Sequence, residues 1–332
     1  MKMFLLFSIM LSAPVFAKVI KVGSSPVTSS AGIYLAKERG YFAEQGLEVE
    51  ITDFNNSGAP MTLLLSKGEL DVGAGNITAG LFNAIADGQQ FKIVADKGHI
   101  EVNHDYLALI VKNEHMTSGR YKTLKDLKGF KMGLTSLEGV SQEILTEKFL
   151  QQAGLKLEDV TFIKLAYSEM NLALKSGAID ATIQIEPFLT KAKMDGIATQ
   201  VAGGSEAYSK QQSGALFYSP KFIKENRKDA EKFMIAYAKG IEDYNNAFMK
   251  GINRESVVND MKKVFKYDDV IWEKMAPVGL NEFGKLNAAE LINDIGWYEK
   301  RYIKKPLNAK DIIDESFTNF AQKELQKKPK KK

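Results

Sequence analysis

From Val19 onward two hydrophobic spacings take turns along the chain. VIKVGSS reads as a strand running into a loop. The next stretch, SSAGIYLAKERG, spaces Ile33, Leu35 and Ala36 as a helix does, offers Ser29 or Ser30 as its cap, and stops at Gly40. LEVEITDF alternates like a strand, and APMTLLLSKG is helical up to Gly68, with a short strand expected at Leu70–Ala74. TAGLFNAIADG gives a further helix ending at Gly88, and FKIVAD a further strand. Strand–helix–strand units in succession predict an α/β fold with a mostly parallel sheet flanked by helices.

The pattern then restarts. DYLALIVK is a strand, TLKDLKGFKMGLTS a short helical turn and a strand, and GVSQEILTEKFLQQAGL a strong helix ending at Gly154. VTFIKL, MNLALKSG, IDATIQI and PFLTKAKMDG continue as strand, helix, strand and helix, the last with Pro187 in its first turn. LSKGELDVG at residues 65–73 is echoed by LKSGAIDAT at 174–182, so each half holds a helix, a glycine and a strand introduced by aspartate. ALFYS is strand-like, Pro220 opens a helical segment, and the chain is mainly helical after that. These late helices have no strands of their own, so they are expected to pack on the first half. Lobe 1 then comprises residues 18–110 and 215–322, lobe 2 residues 111–214, and the crossings fall near 106–113 and 212–219.

The N-terminus carries a separate signal. Lys2, an apolar run to Leu11, and Val15-Phe16-Ala17 before Lys18 read as a secretory signal peptide over residues 1–17. That run is short for a membrane span. No cysteine occurs anywhere, which excludes disulfides, a thiolate metal site and a cysteine nucleophile. An exported, cysteine-free chain with 45% hydrophobic residues is held together by core burial, and a Gram-negative periplasm fits it best. Removing the one lysine of the leader and the five excess positive charges of the tail, KELQKKPKKK, from the formal +4 leaves the body at −2. A nearly neutral body argues against nucleic acid as a partner. The lysine-rich tail, 323–332, is expected to be disordered and solvated.

Catalytic signatures are absent. His99, His104 and His115 form no helical His-x-x-x-His pair, so a zinc site has no support. There is no phosphate loop and no Gly-x-Ser-x-Gly elbow, and GAGNITAG lacks dinucleotide-binding spacing. What recurs is small polar residues where strands pass into helices: Ser24, Ser25 and Thr28; Asn55, Asn56 and Ser57; Asn76 and Thr78; Ser136, Gly139 and Ser141; Tyr167 and Ser168. Such loops lie at the carboxyl ends of parallel strands, where ligands bind beside unpaired helix N–H groups. Capping explains any one of them; two lobes presenting such loops to one cleft make a ligand site. Glu186, just before Pro187, is either a carboxylate at a helix start or an acceptor for amine or amidine donors of a ligand. Phe54, Tyr167 and Phe188 offer rings for stacking.

SSAGIYLAKERGYFAEQGLEVEI, LSKGELDVGAGN, LKDLKGFKMGLTSLEGVSQEILTEKFLQQAGL, LKSGAIDATIQIEPF and SGALFYSPKFIKEN, in that order, resemble periplasmic solute-binding proteins of ABC importers. The nearest groups are the nitrate, taurine and aliphatic sulfonate binders and the binders of thiamine pyrimidine precursors. The resemblance runs from about Val19 to Phe248. It implies a type II periplasmic-binding fold: two α/β lobes, two crossover strands and an interlobe cleft that closes by hinge motion. It further implies a monomer without cofactor or catalytic residues that delivers a small solute to permease subunits. The loops Ser24–Thr28 and Asn76–Thr78 would meet the ligand from lobe 1. The helix start at Gly139, Val140 and Ser141 would do so from lobe 2, with its backbone amides facing a polar or anionic group. Sulfonate binders show two adjacent hydroxyl residues after this glycine, whereas this chain has Val140 and then Ser141. Glu138 just before would repel an anion by ~1 kcal/mol or more if partly buried. If Glu186 and Glu138 both face the cleft, a ligand bearing amino groups (taurine, an aminopyrimidine or another heterocycle) is favoured. An enzyme on the same fold and a sensor or interaction domain are the competing classes. The enzymes that make the thiamine pyrimidine are cytosolic and rely on a cysteine-rich motif. Sensors of this fold come fused to a membrane or kinase segment.

Overall fold

The computed structural model describes residues 18–54 and 59–327; the expected leader and Asn55, Asn56 and Ser57 lie outside them. Ten strands form two five-stranded sheets. They are β1 Lys18–Ser24, β2 Leu47–Asp53, β3 Val72–Asn76, β4 Lys92–His99, β5 Leu107–Lys112, β6 Lys131–Leu134, β7 Thr161–Lys164, β8 Ala181–Ile185, β9 Ala198–Gly203 and β10 Gln212–Tyr218. One sheet has the order β2-β1-β3-β10-β4 and the other β7-β6-β8-β5-β9. In each, the first three strands run parallel and the fourth is antiparallel to its neighbours. With helices on the sheet faces, this is the two-lobed α/β architecture expected.

The two echoed stretches end in the central strand of each sheet, β3 and β8. Their aspartates do the same work. Asp71 Oδ2 accepts the Lys21 N–H at 3.0 Å while its own N–H goes to the Lys21 carbonyl at 2.9 Å. Asp180 Oδ2 accepts the Lys131 N–H at 2.8 Å and returns its N–H to the Lys131 carbonyl at 2.7 Å. Each aspartate therefore sets the register of the central strand against its parallel neighbour, before the regular ladder begins.

The chain passes between sheets at residues 100–106 and again at 204–211. Leu107–Ile110 pair within the second sheet and Gln212–Gly214 within the first, so both crossings lie just ahead of the stretches expected. β9 was not anticipated: ATQVAG is half-exposed and lacks a clean alternation. Ser30 stands at the N-cap of the first helix, Ala31–Glu38, but its hydroxyl donates to the Ser25 carbonyl instead of capping.

The late helices return to the first sheet, as their lack of partner strands implied. The helix Arg227–Phe248 crosses Ala31–Glu38 so closely that a Cβ on Gly240 would lie 2.1 Å from the Gly32 carbonyl oxygen. The helix Ala288–Arg301 reaches the other lobe. Trp297 Nε1 and Arg301 both donate to Glu147, at 2.5 Å each, and the Tyr302 hydroxyl donates to Glu143 at 2.6 Å. The last helix, Ser316–Leu325, is anchored by buried Phe317 and Ala321, so the tail expected to be disordered from residue 323 begins as helix. Residues 328–332 are outside the described set. Among the described residues no helix is long and apolar enough to cross a membrane.

Candidate ligand-binding cleft

A cavity of about 660 Å³ lies between the two sheets, at the carboxyl ends of their strands. From the first lobe it is lined by Ser25, Pro26 and Val27 after β1, by Asn76 and Thr78 after β3, and by Lys97 near the end of β4. From the second it is lined by Thr135, Ser136, Glu138 and Val140 after β6, by Lys164, Tyr167 and Ser168 at the end of β7, and by Ile185 and Phe188 around the end of β8. The wall thus combines apolar surface with many polar and several charged side chains, the groups that orient a small polar solute.

Six of the candidate residues reach the wall: Ser25, Asn76, Thr78, Ser136, Val140 and Tyr167. The Ser25 hydroxyl donates to the Phe54 carbonyl at 2.5 Å. Thr78 caps the helix Ala79–Ala86 by accepting the Leu81 N–H at 3.2 Å, and Ser136 Oγ accepts the Glu138 N–H at 3.2 Å. Burial raises the Tyr167 phenol above its ordinary value. Of the aromatic candidates, Tyr167 and Phe188 line the cavity, whereas Phe54 packs against Gly23.

The other five do structural work beside the cavity. Ser24 donates to Ser30 Oγ at 3.1 Å. The Thr28 hydroxyl crosses between lobes to the Glu186 carbonyl at 3.4 Å. Gly139 has φ +80°, and a Cβ there would meet Tyr302 at 2.7 Å and Ala79 at 2.9 Å, so the position requires glycine. The Ser141 hydroxyl donates to the Ser213 carbonyl at 3.0 Å. Its N–H, expected to face a ligand, goes to the Ile77 carbonyl at 3.2 Å, while the Ala79 N–H returns to the Gly139 carbonyl at 3.0 Å. Residues 77–79 and 139–141 thus form a short bridge between the lobes, centred on Thr78 and Val140. That bridge uses the amide which would otherwise be free at the helix start.

Glu186 is a tie rather than a wall residue. Its carboxylate is 1% exposed. Oε1 accepts the Thr190 hydroxyl at 2.8 Å and the Ala276 N–H at 3.1 Å, and Oε2 accepts the Thr190 N–H at 3.0 Å. Burial raises its pKa, against these three donors. Of its two readings from the sequence, the one at the helix start matches this geometry, and the Ala276 bond adds an interlobe contact that sequence reasoning did not foresee. Glu138, by contrast, is exposed at the cavity edge.

Lys97 was missed. Its only local signal was the Asp96-Lys97 pair of charges directly after the apolar run Ile93–Ala95. Asp96 is fully buried and holds four donors: the Gly98 N–H at 2.7 Å, His99 Nδ1 at 2.8 Å, Gln212 Nε2 at 2.7 Å and the Asn281 N–H at 2.8 Å. Burial works against charging His99, but Asp96 and Glu101 outweigh it and raise its pKa. This network joins β4, the start of β10 and the C-terminal segment directly beside the crossings. Among the described residues no group of three or more His, Asp or Glu side chains is arranged to hold a metal ion.

The family model described as NMT1/THI5 like matches residues 27–247, two-thirds of the chain. The chain belongs to the NMT1/THI5-like family. A binding protein of Brucella abortus (strain 2308) is 28% identical over 291 residues, covering 83% of this chain and 84% of that one. An aliphatic sulfonates-binding protein of Bacillus subtilis (strain 168) is 26% identical, covering 92% and 89%. A 4-amino-5-hydroxymethyl-2-methylpyrimidine phosphate synthase of Saccharomyces cerevisiae is 30% identical, but over only 46% of this chain and 42% of its own length. Among solved structures, the ligand-binding component of an ABC-type import system from Staphylococcus aureus superposes with a TM-score of 0.75 at 19% identity, covering 92% and 99%. The periplasmic nitrate-binding protein of Synechocystis PCC 6803 does so with 0.74 at 16%, covering 93% and 89%. These two solved structures share the two-sheet architecture described above.

Proposed function

We propose that this NMT1/THI5-like protein is the exported substrate-binding component of an ABC importer. It takes up a small polar solute of the sulfonate, taurine, nitrate or aminopyrimidine kind between its lobes and hands it to permease subunits, without chemistry of its own. The observation that carries this reading is the cavity of about 660 Å³ walled by strand-end loops of both sheets, because a solute held there contacts both lobes at once and favours their approach. The relatives that align along most of their length are binding proteins, whereas the synthases align over less than half of theirs. The wall residues Ser25, Asn76, Thr78, Ser136, Val140 and Tyr167 are the contacts we assign to the solute.

The test is thermal unfolding of the purified mature protein with millimolar ethanesulfonate, taurine, nitrate or 4-amino-5-hydroxymethyl-2-methylpyrimidine, together with native mass spectrometry for a co-purified solute. A ligand bound only by the folded state raises Tm, by about 2.7 kcal/mol of added stability at a hundred times Kd. No shift with any of these, and no co-purified solute, refutes the reading.

A further inference from the structure

Lys97 is 2% exposed, yet it lines the cavity. Its stem runs over Gly214, where a Cβ would come to 3.2 Å from Cδ, so the missing side chain of β10 leaves room for it. Its Nζ donates to Ser29 Oγ at 3.0 Å, and among the described residues it forms no salt bridge. Neighbouring residues of a strand point to opposite faces. Asp96 accordingly gives its carboxylate to Gly98, His99, Gln212 and Asn281, and reaches Lys97 only through space. The groups packed around Lys97 from other elements bring no counterion. Ser29 is neutral, and the Tyr106 phenol is paired with Ser213 and raised by burial. Asp87, also on the first-lobe wall, is paired with Lys305 at 2.7 Å, and across the cavity stand Tyr167, Lys164 and the exposed Glu138.

A buried ammonium without a salt-bridge partner is costly, and burial pushes the Lys97 amine down to about 7 against the pull of Asp96. Yet the fold holds this group on the wall of the interlobe cavity. We propose that Lys97 anchors an anionic group of the solute, and that capture draws a proton from solution onto this amine. The inference rests on the cavity being the solute site. An anion beside Nζ favours the charged form, so it raises the affinity of the amine for its proton, and by linkage the proton raises the affinity for the anion. The anionic end lies on the first-lobe wall, while Glu138 sits at the edge where water screens its charge. The acid that argued against an anion from the sequence is therefore no obstacle, and it suits a cationic end on the same solute.

The sign of the pH dependence follows. Below about pH 7 the amine is already charged and binding moves few protons; above it, affinity falls by up to about tenfold per pH unit. At pH 8 the free amine is about one-tenth protonated, so an anion that fills the site takes up about 0.9 proton, against about 0.1 at pH 6.

Isothermal titration with ethanesulfonate, taurine, nitrate and the uncharged 4-amino-5-hydroxymethyl-2-methylpyrimidine, each in Tris and in triethanolamine at pH 8 and in Bis-Tris and in imidazole at pH 6, measures affinity and proton uptake together. We expect at least one anionic probe to bind with the uptake just given. Lys97→Met, which removes a buried unpaired charge and so unfolds no earlier than the wild type, should weaken that probe at least about 30-fold and abolish the uptake. Lys97→Arg, which stays charged at both pH values, should keep part of the affinity with no uptake. Equal binding by Lys97→Met overturns the anchor, and uptake below about 0.2 proton at pH 8 in the wild type overturns the proton capture. Binding of the uncharged pyrimidine alone overturns the anchor too and leaves the solute-binding reading standing. If no probe binds and no solute co-purifies, both fall.

Discussion

Asp294 offers a measurement in which one proton decides stability. It lies on the helix Ala288–Arg301, 2% exposed, where that helix meets the second crossing. The Tyr208 hydroxyl donates to Oδ1 at 2.9 Å, and Oδ2 receives no donor. The Gln211 side chain is within hydrogen-bonding reach, but its Nε2 is committed to the Ser141 carbonyl at 2.9 Å and its Oε1 is itself unpartnered. A proton on Oδ2 donated to Oε1 would satisfy both of these unpartnered acceptors. The energetics agree: burial pushes the Asp294 carboxyl up to about 7, against the pull of Tyr208 and Gln211. A pKa raised in the folded state means that this group's stabilisation is complete below about pH 4, where both states are protonated, and is lost as pH climbs towards 7. Three units at 1.36 kcal/mol each make the loss about 4 kcal/mol by pH 8. Asp294→Asn cannot ionise, and its amide can donate to Gln211 Oε1 while its oxygen accepts from Tyr208. The variant should match the wild type near pH 3.5 and exceed it at pH 8 by up to about 4 kcal/mol, or about 6 °C in Tm for a chain of this length. Calorimetry across that range is the assay. Glu143, another buried acid with a raised pKa, adds to the slope of both proteins and cancels in their difference. A variant no more stable than the wild type at pH 8, or a gap that does not change with pH, would refute the protonated pair.

Gly240→Ala places a methyl 2.1 Å from the Gly32 carbonyl and must push the packed helices apart; we expect a net loss of about 1–3 kcal/mol in urea unfolding despite alanine's better helix propensity. Glu186→Gln puts an amide where three donors converge, so at least one hydrogen bond fails, at about 1–3 kcal/mol. Unchanged stability with lost ligand binding would return Glu186 to the role of a solute contact. Glu147→Ala leaves the Trp297 indole N–H and Arg301 without their shared acceptor; tryptophan emission should shift to the red and unfolding should begin earlier, and an unchanged spectrum would count against the contact.

Much of the architecture was legible because it is written in short-range patterns. The repeated glycine and aspartate around Asp71 and Asp180 announced two equivalent central strands, and both aspartates bond the same backbone position of the neighbouring strand. Alternation and helix stops located most elements, although the strand expected at Leu70–Ala74 starts only at Val72, after the Asp71 contact. β9 escaped because an edge strand with one wet face shows few apolar positions. For the cleft, the sequence identified which loops matter but not which atoms. Ser24, Thr28 and Ser141 sit in the right loops with their hydroxyls spent on local or interlobe bonds, and no local pattern distinguishes them from Ser25 and Ser136. Lys97 was invisible for a complementary reason. Whether a strand-end lysine is solvated or buried depends on Gly214 and Ser29, which lie 117 and 68 residues away in the chain.

The interlobe ties bear on how the proposed capture works. Four of the bonds that join the lobes flank the cavity: the two backbone bonds of the Thr78–Val140 bridge, the Thr28–Glu186 contact and the Ala276–Glu186 bond. At a net ~1 kcal/mol for each hydrogen bond, separating them costs about 4 kcal/mol. The crossings at 100–106 and 204–211 stay intact in such a motion, and Asp96, bonded to Gln212 and Asn281, braces the first-lobe side of both. A solute bound at micromolar Kd supplies about 8 kcal/mol, so even half of that, expressed only when both walls are in contact, is enough to set the balance between open and closed forms. Because Lys97 belongs to the first wall alone, its charge acts on capture before closure. Glu138, Tyr167 and Phe188, on the opposite wall, act on closure itself. A substitution at Lys97 should therefore change the affinity of the first encounter, whereas substitutions at Tyr167 or Phe188 should change how fast the closed form lets go.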